Sequence, residues 1–349
     1  MKAIYFEKFQ ERPRVQHVGD PMCPGDGVIV KVEYTGLCRS DWHGWMGHDD
    51  DIVLPHVPGH ELVGEVVEVG ADVRRFKGGE RVTVPFVAGC GHCEWCASGN
   101  HQICDHQFQP GFTAWGSFAE YVSLRYADTN VVELPGHVSS LAAVSLGCRF
   151  VTSFRAVVDQ GKVQGGQWMA VHGCGGVGLS AVMIGAAMGA QVIAIDVNQE
   201  NLQMAANFGS SKLIDSRQGD VVKQVMEYTS GGAHVSIDAL GSRQTCVDSI
   251  ASLRKRGKHI QVGLLAGEDH MPPIPMHWVI AKELELIGSH GMQAFRYPAV
   301  FEMIRSGRIA PEQMINRIVG WEVAASALEQ MDDFQHQGIT VLQPSHDSD

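Results

Sequence analysis

The sequence predicts a two-domain α/β protein, a β-rich domain followed by a doubly wound parallel sheet. Up to about residue 145 the chain is rich in Val and Gly, with short alternating runs closely punctuated by Gly and Pro. Near residue 150 the pattern changes, and apolar strands alternate with helical stretches, as in a parallel sheet. At the first such junction Val171-His172-Gly173-Cys174-Gly175-Gly176-Val177-Gly178 contains G-x-G-x-x-G after a strand and before a helix.

In chain order, Met1 to Glu7 reads as a first strand, and Val28–Tyr34 and Glu65–Val69 as two more. In the second half, Met169–Val171 is a strand and Leu179–Met188 a helix. Gln191–Ile195, Val235–Leu240, Lys258–Val262 and Leu284–Ile287 are further strands. From about residue 290 the pattern shifts again, with a helix near Tyr297–Ser306, and this tail is expected to return to the first domain. The polar residues Ser345–Asp349 are expected to be loose.

With 349 residues, two domains are the natural expectation, and the balance of 44% hydrophobic to 19% charged residues suits a globular chain. A net charge of -12 argues against nucleic acid as a partner, because such binding needs a basic face. The sequence contains neither a run long enough to span a membrane nor the apolar core of a signal peptide, so a cytoplasmic location without a membrane partner is expected. The nine cysteines then point to metal binding rather than disulfides.

Cys90, Cys93, Cys96 and Cys104 follow C-x2-C-x2-C-x7-C, close enough on one loop to fill a tetrahedral zinc shell, with Gly89, Gly91 and Gly99 allowing tight turns. Free cysteines, a disulfide pair or an iron–sulfur cluster are the other uses of such a set. Filled by four thiolates, the ion would have no vacant position and would stabilise a lobe only.

A second candidate set is Cys38, His60, Glu61 and Cys148, in which few fixed ligands leave room for water or substrate. Zinc there would polarise a substrate oxygen and lower an alcohol pKa. Ser40 is a candidate first proton acceptor and His43 an outer relay. Asp41 is a candidate orienting partner for His60, or simply a loop cap. Trp42, Trp45, Met46 and His48 give this region an aromatic character that fits either a hydrophobic alcohol pocket or core.

In the glycine fingerprint, Gly173, Gly175 and Gly178 would allow the turn, backbone approach to a pyrophosphate and close helix packing. The helix start at Gly176-Val177-Gly178 would face the phosphates. Asp196 ends the next strand, 18 residues after Gly178, where a carboxylate binds ribose hydroxyls and repels a 2′-phosphate. No Arg or Lys occurs from 197 to 205, so NAD is favoured over NADP.

Taken together, these residues resemble the zinc-containing medium-chain alcohol dehydrogenases over essentially the whole chain. The specific marks are Gly59-His60-Glu61-x2-Gly64 running to Val69-Gly70, the four-cysteine spacing and the glycine fingerprint. Gly79-Glu80-Arg81-Val82 and Gly116-Ser117-Phe118-Ala119-Glu120-Tyr121 support them. The resemblance implies a GroES-like catalytic domain (1–148 and 290–349, with a structural-zinc lobe at about 89–105) and a Rossmann NAD-binding domain (149–289), the active site lying in the cleft between. It implies a catalytic zinc on Cys38, His60 and Cys148, approached by Glu61 in some states, and so two zinc ions per subunit. Arg39 would contact the cofactor pyrophosphate, Thr152 would lie near the nicotinamide, and the chain would form a homodimer or homotetramer.

Arg149 departs from the family pattern, where a small residue is common, and would either line the substrate pocket or pair structurally. His172 and Cys174 stand at fingerprint positions that vary widely in the family. The activity expected is reversible oxidation of an alcohol to an aldehyde or ketone with NAD. A polyol, sugar or threonine dehydrogenase of the same superfamily is the alternative, and would want more polar groups around the metal. A zinc-free quinone-reductase-like protein, or a non-catalytic NADPH-binding one, would lack the ligand set.

Overall fold

The computed structural model describes residues 1–333 and 338–345. Of the polar end Ser345–Asp349, positions 346–349 lie outside the described residues. Two compact units emerge, Met1–Val151 with Gly291–Asp349, and Thr152–His290. The expected boundary at 148/149 falls at the start of a helix, Cys148–Phe154, which carries the chain from one unit into the other.

The first unit opens with the antiparallel pair β1 (Lys2–Tyr5) and β2 (Arg14–His17). It continues through β3 (Val28–Gly36), β4 (Glu61–Val69), β5 (Arg81–Thr83), β6 (Tyr121–Leu124) and β7 (Val132–Glu133). β3 and β4 are antiparallel, their register running from Val28 opposite Val69 to Gly36 opposite Glu61. Along β3 the branched residues Val30 and Val32 are buried while Lys31 and Glu33 face water, the period-two pattern of a half-covered sheet. Val30, Val32, Leu62, Val66, Val82 and Val122 close one core.

The second unit is a six-stranded parallel sheet: β8 (Trp168–His172), β9 (Gln191–Asp196), β10 (Lys212–Asp215), β11 (Ala233–Asp238), β12 (Leu253–Gln261) and β13 (Glu285–Gly288). Their spatial order is β10-β9-β8-β11-β12-β13. The chain therefore runs outward in one direction from β8 and in the other from β11. Ligands of open α/β sheets bind at such a switch point, beyond the carboxyl ends of the strands. β8 and β9 are buried on both faces, which is why they read as unbroken apolar runs. β10 was not legible in the sequence: of Lys212-Leu213-Ile214-Asp215 only Ile214 is buried.

The chain then returns to the first unit. Helix Tyr297–Arg305 buries Tyr297, Val300, Phe301 and Met303 and exposes its polar face. β14 (Ile315–Val319) and β15 (Ile339–Leu342) complete the first unit's larger sheet, β15 pairing antiparallel with the end of β3. Among the described residues no helix is long and apolar enough to cross a membrane.

Candidate metal centre and nucleotide site

The β3–β4 register builds the first site. β3 ends at Gly36, opposite Glu61, so Cys38 just beyond it and His60 just before Glu61 are neighbours in space. Gly59 has φ 104 and passes so close to Phe118 and Ser117 that an added Cβ would stand 2.5 Å from the Phe118 ring, so only glycine fits this turn. Helix Cys148–Phe154 supplies Cys148. One donor atom each from Cys38, His60, Glu61 and Cys148 lies within 4.8 Å of the others.

Asp41 organises the cluster. Its Oδ2 accepts from the Cys38 backbone N–H at 2.9 Å. Its Oδ1 accepts from the Gly59 N–H at 3.0 Å and bonds His60 Nδ1 at 2.9 Å. Asp41 and His60 are essentially inaccessible to solvent. With Nδ1 committed to a carboxylate, His60 presents Nε2, which is buried and has no hydrogen-bond partner. An imidazole fixed in this way, with its free nitrogen toward two sulfurs, is a zinc-binding arrangement. Burial opposes the charged form of His60, but the charge and hydrogen bond of Asp41 outweigh it and raise its pKa. A hydrogen bond from Cys148 holds the Cys38 thiol well below its ordinary range, while Cys148 is pushed up, so Cys38 is the more readily ionised of the pair.

Glu61 is held by Arg149. The Arg149 backbone N–H and Nε donate to Oε1 at 3.3 and 3.1 Å, and Nη2 donates to Oε2. Of the two expectations for Arg149, the structure gives the pairing. Phe86 and Phe112 wall His60, with ring centroids 6.2 and 5.0 Å from the imidazole. Tyr297 is fully buried with an unpartnered hydroxyl whose ionisation is opposed by burial and then by Glu61 and Cys148. Neither the phenylalanines nor the tyrosine stands near Cys38, His60 or Cys148 in sequence, and no pattern marked them.

Trp42 and Trp45 are core. They are 6% and 8% exposed and pack with Phe6, Leu37, Val57, Phe118 and Trp321, so their aromatic character reflects packing. Met46 packs against the same cluster. Ser40 stands on helix Arg39–Met46 with Oγ 3.7 Å from Cys38 Sγ. His43, one turn further on, meets His48 through their Nδ1 atoms at 3.0 Å. Arg39 lies over the Trp42 ring and donates to the Met331 carbonyl at 2.6 Å.

The four-cysteine lobe is equally compact, with one sulfur each from Cys90, Cys93, Cys96 and Cys104 within 4.8 Å of the others. Backbone N–H groups of Cys90 and His106 each donate to Cys104 Sγ at 3.3 Å, and that of Cys96 to Cys93 Sγ at 3.5 Å. Such donors stabilise thiolates, and the bond from the Cys96 N–H lowers the Cys93 pKa to about 6. Gly91 and Gly99 have positive φ, and a Cβ on Gly89 would stand 2.9 Å from Cys96 Sγ. The donor set fits a structural zinc.

In the second unit the three glycines differ in role. Gly173 turns with φ 89 at the end of β8. Gly178 lies against the Gly173 carbonyl, where a Cβ would be 1.8 Å from the oxygen. Gly175 has nothing within 4 Å of a would-be Cβ, leaving open space before helix Gly176–Ala187, whose N-terminus has no side-chain cap. Gly176 and Val177 thus open the helix with unclaimed amide groups, a cradle for an anionic phosphate. Asp196 at the end of β9 accepts from the Cys174 N–H at 2.6 Å and the Asn198 N–H at 2.7 Å, so it also shapes the glycine turn. Thr152, in the same unit, is buried with an unpartnered hydroxyl.

Comparison with known proteins agrees with this chemistry. Residues 24–136 match the alcohol dehydrogenase GroES-like domain, and residues 176–306 the zinc-binding dehydrogenase family. An alcohol dehydrogenase of Geobacillus stearothermophilus is 33% identical over 83% of this chain and 84% of its own length. An NAD-dependent alcohol dehydrogenase of Sulfolobus acidocaldarius is 30% identical over 98% and 99%. The solved structure of an alcohol dehydrogenase from Thermus sp. ATN1 superposes with a TM-score of 0.90 at 28% identity, covering 98% of this chain and 99% of that one. The chain belongs to the zinc-dependent medium-chain alcohol dehydrogenase family.

Proposed function

We propose that this alcohol dehydrogenase uses NAD, holds two zinc ions per chain and works as a homo-oligomer in the cytoplasm on small alcohols and their carbonyl partners. The observation that carries the reading is the buried His60, tied through Nδ1 to Asp41 and presenting an unpartnered Nε2 beside Cys38 and Cys148. Cys38, His60 and Cys148 would hold the catalytic zinc, which would supply the Lewis acidity that lowers the pKa of the substrate hydroxyl, with a bound nicotinamide supplying the hydride acceptor.

The chain's own residues do the rest. Asp41 fixes the His60 tautomer and anchors the backbone at Cys38 and Gly59. Phe86 and Phe112 keep water from the imidazole and favour an apolar substrate. The Ser40 hydroxyl, beside Cys38, receives the substrate proton, and His43 passes it toward solvent. In the nucleotide unit the open amides at the start of helix Gly176–Ala187 take the pyrophosphate, and Asp196 takes the ribose hydroxyls. Its charge disfavours a 2′-phosphate, which supports NAD, as does the NAD dependence of the Sulfolobus relative. Arg39 and Thr152 are assigned to pyrophosphate and nicotinamide.

Homo-oligomer formation is supported by segment 264–286 of the nucleotide unit. There Leu264, Met271, Met276, Trp278 and Ile280 are exposed beside β13, the outer strand of its sheet.

The test is NADH formation with a panel of primary, secondary, aromatic and polyhydric alcohols, with NADP in parallel. Turnover of simple or aromatic alcohols with NAD is expected. Turnover with polyols alone would move the assignment to the sugar-alcohol branch, and NADP preference would overturn the role of Asp196.

A further inference from the structure

Glu61 and Arg149 form a buried ion pair at the edge of the Cys38–His60–Cys148 cluster, their side chains 1% and 11% exposed. The slot around Glu61 is narrow. A Cβ on Gly36 would stand 2.6 Å from Oε2, and one on Gly147 would stand 2.4 Å from Cγ. Within that slot residue 149 grips the carboxylate from two sides, through its backbone N–H and Nε on Oε1 and through Nη2 on Oε2. Yet a Glu61 oxygen is also within 4.8 Å of the donor atoms of Cys38, His60 and Cys148. At that range a carboxylate competes for a cation, and its binding would fill the position that a catalytic centre leaves open.

We infer that Arg149 is a positioning residue that holds Glu61 out of the metal's coordination shell, leaving Cys38, His60 and Cys148 as the protein ligands. The inference rests on the metal reading of this cluster. A carboxylate in a low-dielectric interior needs a cation close by. The planar guanidinium satisfies both oxygens at once, in a geometry that a lysine ammonium does not reproduce. Without it, the remaining cation within reach of Glu61 is the ion held by its neighbours.

Substitution of zinc by Co(II) in the full chain reads the coordination sphere directly, through the visible d–d bands. Wild type and Glu61→Gln should give one spectrum. Arg149→Met should shift the bands as a carboxylate oxygen joins the ion, and should lower turnover as that oxygen fills the position a substrate would take. Arg149→Met combined with Glu61→Gln should restore the wild-type bands, which a merely structural role for Arg149 would not require.

A folded Arg149→Met protein with the wild-type spectrum overturns the inference. Should that variant fail to fold, the comparison of wild type with Glu61→Gln still decides it, since any difference between these two means that Glu61 ligates despite Arg149. A wild-type spectrum left unaltered by Cys38→Ser would instead overturn the metal reading itself, and the inference with it.

Discussion

His43 and His48 meet Nδ1 to Nδ1 at 3.0 Å, so one ring carries its hydrogen on Nδ1 while the other offers a lone pair there. The pair exists because Gly47 ends helix Arg39–Met46 in the left-handed conformation, φ 81, and the His48 N–H returns to the His43 carbonyl. Burial lowers the His43 pKa, and Arg39 and His48 lower it further. A relay base with a lowered pKa stays neutral, and able to accept a proton, further into acid.

In His48→Ala the acid limb of the kcat/KM profile for alcohol oxidation should therefore move to higher pH, while turnover at alkaline pH changes little. His43→Gln should lose about 100-fold at neutral pH, the usual scale for removing a proton-transfer group. A pH series for the three proteins checks both.

Asp196→Asn should raise the KM for NAD about ten- to hundredfold. This corresponds to losing one charge-assisted hydrogen bond of about 1.5–3 kcal/mol. It should also narrow the gap between NAD and NADP. Because Asn cannot reproduce both backbone contacts of the carboxylate, a small loss of thermal stability should accompany it. Initial rates with both nucleotides separate the two effects.

Replacing Cys93 by Ser removes a sulfur that accepts from the Cys96 N–H and lies 3.7 Å from Cys104 Sγ. Metal content should fall from two ions per chain to one. The segment 89–105 should become sensitive to protease, because a metal lobe without its metal has little core of its own. Elemental analysis and limited proteolysis test this.

The nucleotide unit should lose stability in acid. His172 closes β8 in full burial with Nε2 unpartnered, and burial together with His259 lowers its pKa to about 3. Its folded pKa thus lies below the unfolded value near 6.5. The neutral ring contributes stability above that value, and the contribution is lost as pH falls from about 6.5 toward 3. His172→Phe should flatten this loss, read as urea midpoints between pH 7 and pH 4. Equal acid sensitivity in the variant would show that other buried groups govern it.

Ile280→Glu places a charge on the exposed apolar face of segment 264–286 and should shift the chain toward monomer in sedimentation. An unchanged oligomer would place the interface elsewhere.

The clustered cysteines, the glycine turn and the strands buried on both faces were legible because each is marked by spacing or by a continuous apolar run. What stayed hidden depends on how segments are brought together. Arg149 meets Glu61 because helix Cys148–Phe154, 88 positions further along the chain, comes to the start of β4, and no local pattern encodes that contact. Trp42 and Trp45 carry no sign of whether they face a pocket or a core, since an eight-residue helix can turn either face inward. His48 returns to His43 through the conformation of one glycine. β10 has too few buried residues to show a period.

The first unit is assembled from the two ends of the chain around the nucleotide unit. β15 pairs with the end of β3, Val341 opposite Gly36, and the Leu37 N–H donates to the Thr340 carbonyl one residue before Cys38. During synthesis the ribosome must therefore finish the entire Thr152–His290 unit before it makes the strand that steadies the Cys38 loop. The nucleotide unit can fold as it emerges, whereas the loop carrying Cys38 lacks this support until β15 has been made. The Cys38 end of the Cys38–His60–Cys148 cluster is thus steadied only after the Thr152–His290 unit has been made.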